Sequence, residues 1–282
     1  MSYQPLEVGG VDDYPVKVGS MLLTLVDPHR GFERAYNRWY ERDHYYGGCL
    51  VGPHLYAGSR WVATRALKDL RWGGGVPDGG EPVAEPADAG SYVAIYWVEK
   101  GRHKEHFDDW ARPQVAALYG AGRGFAERTH VHTVLFDHVG ASYRDEDPVP
   151  VDVALDACYD GIVALWLDAR DGRTAADLDG ELTRDHLPAL LKDSTLEIAS
   201  AWAPSPGEDE VRKKQPMPLG SAPGGPERLV QLFFCRGDVT EALPALRAYT
   251  DALEAAGLAD VRLAAPFVRT HVGTDKYVDE IW

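Results

Sequence analysis

Apolar residues along the chain fall into short strand-like runs separated by stretches with helical spacing. Residues 21–27 (MLLTLVD) are aliphatic and β-branched and stop at Asp27-Pro28, which predicts a strand over 20–27. Over 31–45, Phe32, Tyr36, Tyr40 and His44 recur every fourth residue, which places them on one face of a helix that Gly47-Gly48 should end. Strands follow at 56–66 and 92–98, and the Gly- and Pro-rich stretch 71–90 between them reads as a loop without a core of its own. A second helix starts near Arg102, carries Phe107, Trp110, Ala111 and Leu118, and stops at Gly120; a fourth strand covers 127–136. The order then returns: strand 162–168, helix 174–187, strand 195–203, Pro/Gly-rich loop 204–228, strand 229–235, helix 238–256 and strand 261–272.

The two halves also share residues. MLLTLVD at 21–27 resembles IVALWLD at 162–168, an offset of 141. Arg42-Asp43-His44 returns as Arg184-Asp185-His186, Ser59 and Trp61 as Ser200 and Trp202, and Arg128-Thr129-His130-Val131 as Arg269-Thr270-His271-Val272. Four anchors in one order at nearly one spacing predict a tandem duplication. The expected layout is a tail over 1–18, one repeat over 19–139, an acidic linker over 140–160 and a second repeat over 161–282. A βαββαβ unit forms a four-stranded antiparallel sheet with both helices on one face, which leaves the other face bare. Two such sheets can cover each other.

On these residues the chain resembles the dimeric α/β-barrel superfamily of ferredoxin-like units. Within it, the look is that of the EthD-like branch, whose first helix carries a tyrosine or tryptophan, then a histidine, then a proline. Leu182, His186 and Pro188 show part of that pattern, and Trp39, Tyr40 and His44 show it in the first half, where Tyr46 and Gly47 stand in the proline region. The resemblance implies an α+β fold: two ferredoxin-like repeats packed sheet-to-sheet as an intrachain dimeric α/β barrel. It leaves the reaction open, because the superfamily holds cofactor-free monooxygenases, cyclases, isomerases, lyases, haem enzymes and proteins without known activity.

Composition narrows the partners. A net charge of −15 argues against nucleic acid, which needs a basic patch, and against an anionic membrane surface. No apolar run approaches a membrane span, and the polar start lacks the features of a signal peptide, so a cytoplasmic protein is expected. Cys49, Cys158 and Cys235 fit no zinc spacing and no complete disulfide framework. No nucleophile elbow, phosphate loop or dinucleotide fingerprint is present. The sequence leaves room for a homodimer of barrels.

The candidate chemistry follows from strand alternation. It aims Arg128, His130 and His132 into the space between the sheets, with Thr129, Val131, Thr133 and Leu135 towards the helices. Likewise Arg269 and His271 should point inwards, as should Tyr92 and Tyr96, while Val93, Ile95 and Trp97 face the helices. The interior is then aromatic with a few convergent polar groups, a common make-up for a small-molecule site. His130 and His271 occupy matched positions, consistent with a shared structural role, whereas His132 is matched by Gly273 and marks specialisation. His44 and His186 sit where a histidine either steadies a helix end or reaches a pocket mouth as acid or base. His103 and His106, amid charged neighbours, read as a solvated face. The aromatic stripe Tyr36, Trp39, Tyr40, Tyr45 and Tyr46, absent from the second half, assigns the working pocket to the first.

The expectation is a cofactor-independent acid–base enzyme, a cyclase, dehydratase or isomerase, acting on a hydrophobic, aromatic or polyketide-like small molecule. His132, His130, Arg128 and His44 would be its catalytic groups, and Tyr92, Tyr96, Tyr40, Trp61, Arg269 and His271 would contact substrate. No metal and no cofactor are expected. The alternatives are a haem- or metal-dependent enzyme using His130, His132 or His271, and a non-catalytic ligand-binding barrel.

Overall fold

The computed structural model describes residues 15–74, 81–207, 212–213 and 217–282. Most of the expected tail (1–14) and parts of both long loops (75–80, 208–211 and 214–216) lie outside the described residues.

Strand β1 (Val18–Pro28) leads into helix α1 (Glu33–Trp39), which continues without a break as a π-helical segment, Tyr40–Leu50. Gly47-Gly48 therefore does not end the helix. A Cβ on Gly48 would lie 2.8 Å from His44 Nδ1, so this glycine makes room for the imidazole one turn before it. Strand β2 (Leu55–Val62), the short helix α2 (Arg65–Lys68), capped by Thr64, and strand β3 (Tyr92–Glu99) follow. A π-helical turn, Lys104–Ala111, then runs into α3 (Arg112–Gly120), and β4 (Arg128–Tyr143) completes the first half. The second half comprises β5 (Gly161–Ala169), α4 (Ala175–Asp185) with a Thr174/Asp177 capping box, α5 (Leu187–Lys192), β6 (Leu196–Pro204), β7 (Arg228–Cys235), α6 (Leu243–Ala255) and β8 (Ala259–Arg269).

The strands close into one barrel in the order β1-β3-β2-β8-β5-β7-β6-β4. Each half contributes the same local order, fourth-first-third-second, which is the ferredoxin-like arrangement. The two seams differ. β4 pairs with β6 from Phe136 to Tyr143, whereas β2 meets β8 only at Trp61–Arg269 and Val62–Val268. The long seam exists because β4 runs to Tyr143, into the stretch expected to be linker.

The barrel interior is a packed core. Trp97 stacks on Trp202 at 5.9 Å and meets Phe234 edge-on, and Trp61, Trp97, Trp166 and Trp202 are fully buried. The small-molecule pocket expected between the sheets is thus replaced by indole and phenyl side chains. The face assignment of β3 is reversed from expectation. Val93, Ile95 and Trp97 point into the barrel with Leu25, Leu23 and Met21, their partners on β1, while Tyr92, Ala94 and Tyr96 face the helices. Alternation sorts a strand into two sets of residues but does not say which set turns inwards.

Candidate functional site

The cleft lies outside the barrel, between the outer face of the first sheet and the helices that cover it. It encloses about 830 Å³ when the solvent at its open mouth is included. Leu22 and Thr24 of β1, Tyr96 of β3 and Arg128, His130, Thr133 and Leu135 of β4 form its floor. Tyr40, His44 and Cys49 come from the π-helical extension of α1, and Phe107, Val115 and Tyr119 from the second helical layer. Met217 and Leu219 arrive from the second half, on the loop between β6 and β7.

That loop is the main feature the sequence reading missed. It is no idle connection: Thr133 N–H donates to Leu219 O and Ser221 N–H to Val131 O, both at 2.9 Å, and His132 bridges to Gly220. Arg212 straps it further by donating to the carbonyls of Thr133, Gly220 and Ser221. Its only local signal is Met217-Pro218, since a residue before proline is held extended.

A β-bulge decides which histidine reaches the cleft. Leu25 of β1 faces His132 of β4, and the next residue, Val26, faces His130, so Val131 is an extra residue in β4. The strict alternation expected for Arg128, His130 and His132 breaks there. Arg128 and His130 lie on the helix side with Thr133 and Leu135, whereas His132 turns into the barrel, edge-on to Trp166 and fully buried. Its Nδ1 pairs with Ser221 Oγ at 2.8 Å.

The other expected site residues divide likewise. Arg128, His130, His44, Tyr40 and Tyr96 share the cleft. Tyr92 lies on the helix side under the Arg60 guanidinium, 4.0 Å from its ring centre. Trp61 is sealed in the barrel core, and Arg269 lies over it, donating to the carbonyls of Leu155 and Ala157. His271 is exposed beside Lys276. His106, expected on a solvated face, is buried with Nδ1 on the Pro53 carbonyl.

Inside the cleft the polar groups are tightly committed. Arg128 Nε donates to His130 Nε2 at 3.1 Å. An arginine cannot give up its proton, so Nε2 must be the acceptor and the neutral ring carries its proton on Nδ1. Nδ1 then donates to Thr133 Oγ1 at 2.7 Å, which in turn pairs with Thr24 Oγ1. Burial, then the charge of Arg128, holds His130 down to about 3. The same two causes bring His44 to about 3, against a weaker opposing pull from Asp43. The His44 ring stacks on Trp39 at 4.6 Å and meets Tyr40 edge-on, and among the described residues it makes no hydrogen bond. Arg128 also donates to the Tyr119 hydroxyl and lies over the Trp39 ring, but its Nη1 is buried without a partner. The hydroxyls of Tyr40 and Tyr96 bond to each other, and burial raises both well above the usual phenol value.

In the second half the matching sheet face is covered by apolar packing. Leu178 and Leu182 of α4 are fully buried, and Phe233 meets Tyr249 of α6 edge-on. Among the described residues, no group of three or more His, Cys, Asp or Glu side chains is placed to hold a metal ion, and no helix is long and apolar enough to cross a membrane.

No protein-family model matches the sequence, and no curated protein does. Solved structures do match in fold. A dye-decolorizing peroxidase from Bacteroides thetaiotaomicron VPI-5482 aligns over 91% of this chain and 95% of its own, with 8% identity and a TM-score of 0.52. A chlorite dismutase candidate, TA0507, aligns over 94% and 100%, with 8% identity and a TM-score of 0.50. A Rhodococcus jostii RHA1 DypB variant in complex with haem aligns over 93% and 96%, with 10% identity and a TM-score of 0.49. The likeness to the first two places the chain in the dimeric α/β-barrel, ferredoxin-like fold class.

The main functional expectation is corrected: the first two matches are described as a dye-decolorizing peroxidase and a chlorite dismutase candidate, neither of them a cyclase, dehydratase or isomerase, and the cofactor-free reading gives way. The geometry agrees. His132 cannot meet a substrate in the cleft, and His130 has both ring nitrogens engaged and is too weakly basic to take a proton near neutrality.

Proposed function

We propose that this chain is a haem-dependent oxidoreductase that binds haem in the helix–sheet cleft of its first half. One observation carries the reading: His44 presents a neutral imidazole, free of hydrogen bonds to the described residues, to an otherwise largely apolar cleft. A metal ligand must be a neutral imidazole, and the low pKa keeps it so. Haem bound there would supply the one-electron and oxygen chemistry that no side chain of the cleft offers.

The chain's own residues would hold and orient it. Trp39 fixes the plane of the His44 ring by stacking, and Gly48 leaves the ring its space. Arg128, with Nη1 unpartnered, is the natural counter-charge for an acidic group on the ligand. His130 keeps its proton on Nδ1 and holds Arg128 in place through Nε2. Leu135, Leu219, Val115 and Phe107 exclude water. Placement in the EthD-like branch and descent of the halves from one duplicated unit belong to the same proposal and rest on the sequence anchors. So does a cytoplasmic setting, with Cys49, Cys158 and Cys235 all unpaired.

Titrating the purified chain with haemin tests this. The Soret band should shift and saturate at a single equivalent. His44→Gly should lose the imidazole-ligated spectrum and regain it when free imidazole is added. An unchanged spectrum in His44→Gly would remove His44 as the ligand, and the absence of any saturable Soret shift in the parent chain would remove haem.

A further inference from the structure

Helix α1 is a weak element by its own sequence. It has seven residues, and Phe32 at its N-cap makes no side-chain hydrogen bond, so neither length nor capping stabilises it. Yet its last residue, Trp39, stacks on His44, and the π-helical segment that carries His44 grows directly from it. Whatever fixes α1 therefore fixes the imidazole.

The inner face of this helix is held by the buried rings of Tyr36 and Tyr40. Another face is held from the second half. β8 ends at Arg269 after eleven residues, whereas β4 runs for sixteen and forms the long seam with β6. The chain left free at the short seam turns at Gly273 (φ +81°), where Thr274 N–H donates to His271 O at 3.1 Å, and then crosses onto the first half. There Gly273 N–H donates to Glu41 Oε2 at 2.8 Å, and Thr274 O accepts from Asn37 Nδ2 at 2.9 Å. Asp275 makes the most contacts. Its carboxylate accepts from Arg38 Nε and Nη2 at 3.2 and 2.6 Å, from Arg34 Nη1 at 3.1 Å and from Asn37 Nδ2 at 3.3 Å. Arg34, Asn37, Arg38 and Glu41 recur at i, i+3, i+4 and i+7, a single stripe of helix surface. The crossing segment is itself anchored: Val278 and Ile281 are buried, and Trp282 Nε1 donates to Glu33 Oε1 at 2.5 Å. A lone exposed ion pair contributes little, but here one carboxylate, 20% exposed, gathers three side chains into a network.

We infer that Asp275 is a positioning residue for His44: through Arg34, Asn37 and Arg38, the second half sets where the first half's imidazole stands. Asp275 is not among the cleft walls and acts only through the helix. The inference takes from the haem reading the role of His44 as ligand.

Two variants of the full chain test it. Asp275→Ala removes the acceptor of the whole network, and Asp275→Glu keeps the charge and both oxygens. In the haem-free chain the readout is the His44 Hε1 proton resonance, displaced upfield by the stacked Trp39 ring and assigned by its loss in His44→Gln. It should move towards the free-imidazole position in Asp275→Ala and stay near the parent position in Asp275→Glu. The His132 resonance, from inside the barrel, should stay in place in both. Haemin affinity should fall about tenfold in Asp275→Ala, the scale of two exposed ion pairs together, and recover in Asp275→Glu. An unmoved His44 resonance in Asp275→Ala overturns the inference. So does an equal displacement of the His132 resonance, which marks a general loss of packing, and so does parent-like haemin affinity beside a displaced His44. A parent chain without any Soret shift removes the haem reading alone, and the resonances then decide this one.

Discussion

Replacing Gly220 by alanine is expected to lift the β6–β7 loop from β4 and open the cleft. Gly220 has φ +77°, and a Cβ there would lie 2.1 Å from the Val131 carbonyl oxygen and 2.6 Å from that of His130. Both oxygens belong to a paired strand and cannot swing aside. A left-handed alanine costs about 1–2 kcal/mol. The clash is relieved only by giving up Thr133 N–H to Leu219 O and Ser221 N–H to Val131 O, each worth about 0.5–1.5 kcal/mol. The lower entropy of the unfolded alanine chain returns about 0.4–1 kcal/mol. The net loss is about 2–3 kcal/mol, which lowers Tm by about 4–10 °C in a chain of this length. Circular dichroism melts measure that shift. Haemin dissociation, followed by transfer to excess apomyoglobin, should accelerate because Met217 and Leu219 leave the cleft wall. A variant with Tm within about 1 °C of the parent and an unchanged haemin off-rate would refute the role given to this loop.

Further outcomes can be read independently. His44 and His130 titrate near 3 when folded and near 6.5 when unfolded, so the unfolded chain takes up protons that the folded chain refuses. Their contribution to stability is complete above about pH 6.5 and is lost as pH falls towards 3, at up to about 1.4 kcal/mol per pH unit for each. Urea midpoints of His44→Gln and His130→Gln should therefore fall less steeply than the parent's between pH 6.5 and 4; parallel slopes would contradict the burial of these rings. Asp179 behaves in the opposite sense, since burial raises it to about 6. Its carboxylate costs stability increasingly from about pH 4 upwards, so Asp179→Asn should be more stable than the parent at pH 7.5 and lose that advantage in acid, and a pH-independent difference would argue against a buried ionised carboxylate. His132→Leu should lower stability by about 1–3 kcal/mol by removing a buried hydrogen-bonded group while leaving the haemin spectrum intact, and a changed Soret band would place His132 in the cleft after all.

Much of the architecture is local and therefore readable. The aliphatic run at 21–27, the four-residue spacing of Tyr36, Tyr40 and His44, and the Gly/Pro-rich breaks specify strand, helix and loop through backbone preference and periodicity. The same pattern appearing twice, with each sheet needing a cover, leads to the closed barrel. Arg128, His130, His44, Tyr40 and Tyr96 are likewise recognisable as candidates from their chemistry.

Where those side chains meet was decided by tertiary structure. One extra residue, Val131, separates His130 from His132 across the sheet, and no residue-level preference announces that bulge. Volume fills the barrel with Trp97, Trp166 and Trp202 and leaves the tyrosines to the helix side, so the cleft opens outside the barrel rather than within it. A loop with no periodicity of its own closes that cleft by pairing with a strand more than eighty residues earlier. Sequence patterns encode each segment's own geometry and its need for burial. Which face is buried, and by what, depends on contacts between distant segments that form only as the whole chain packs.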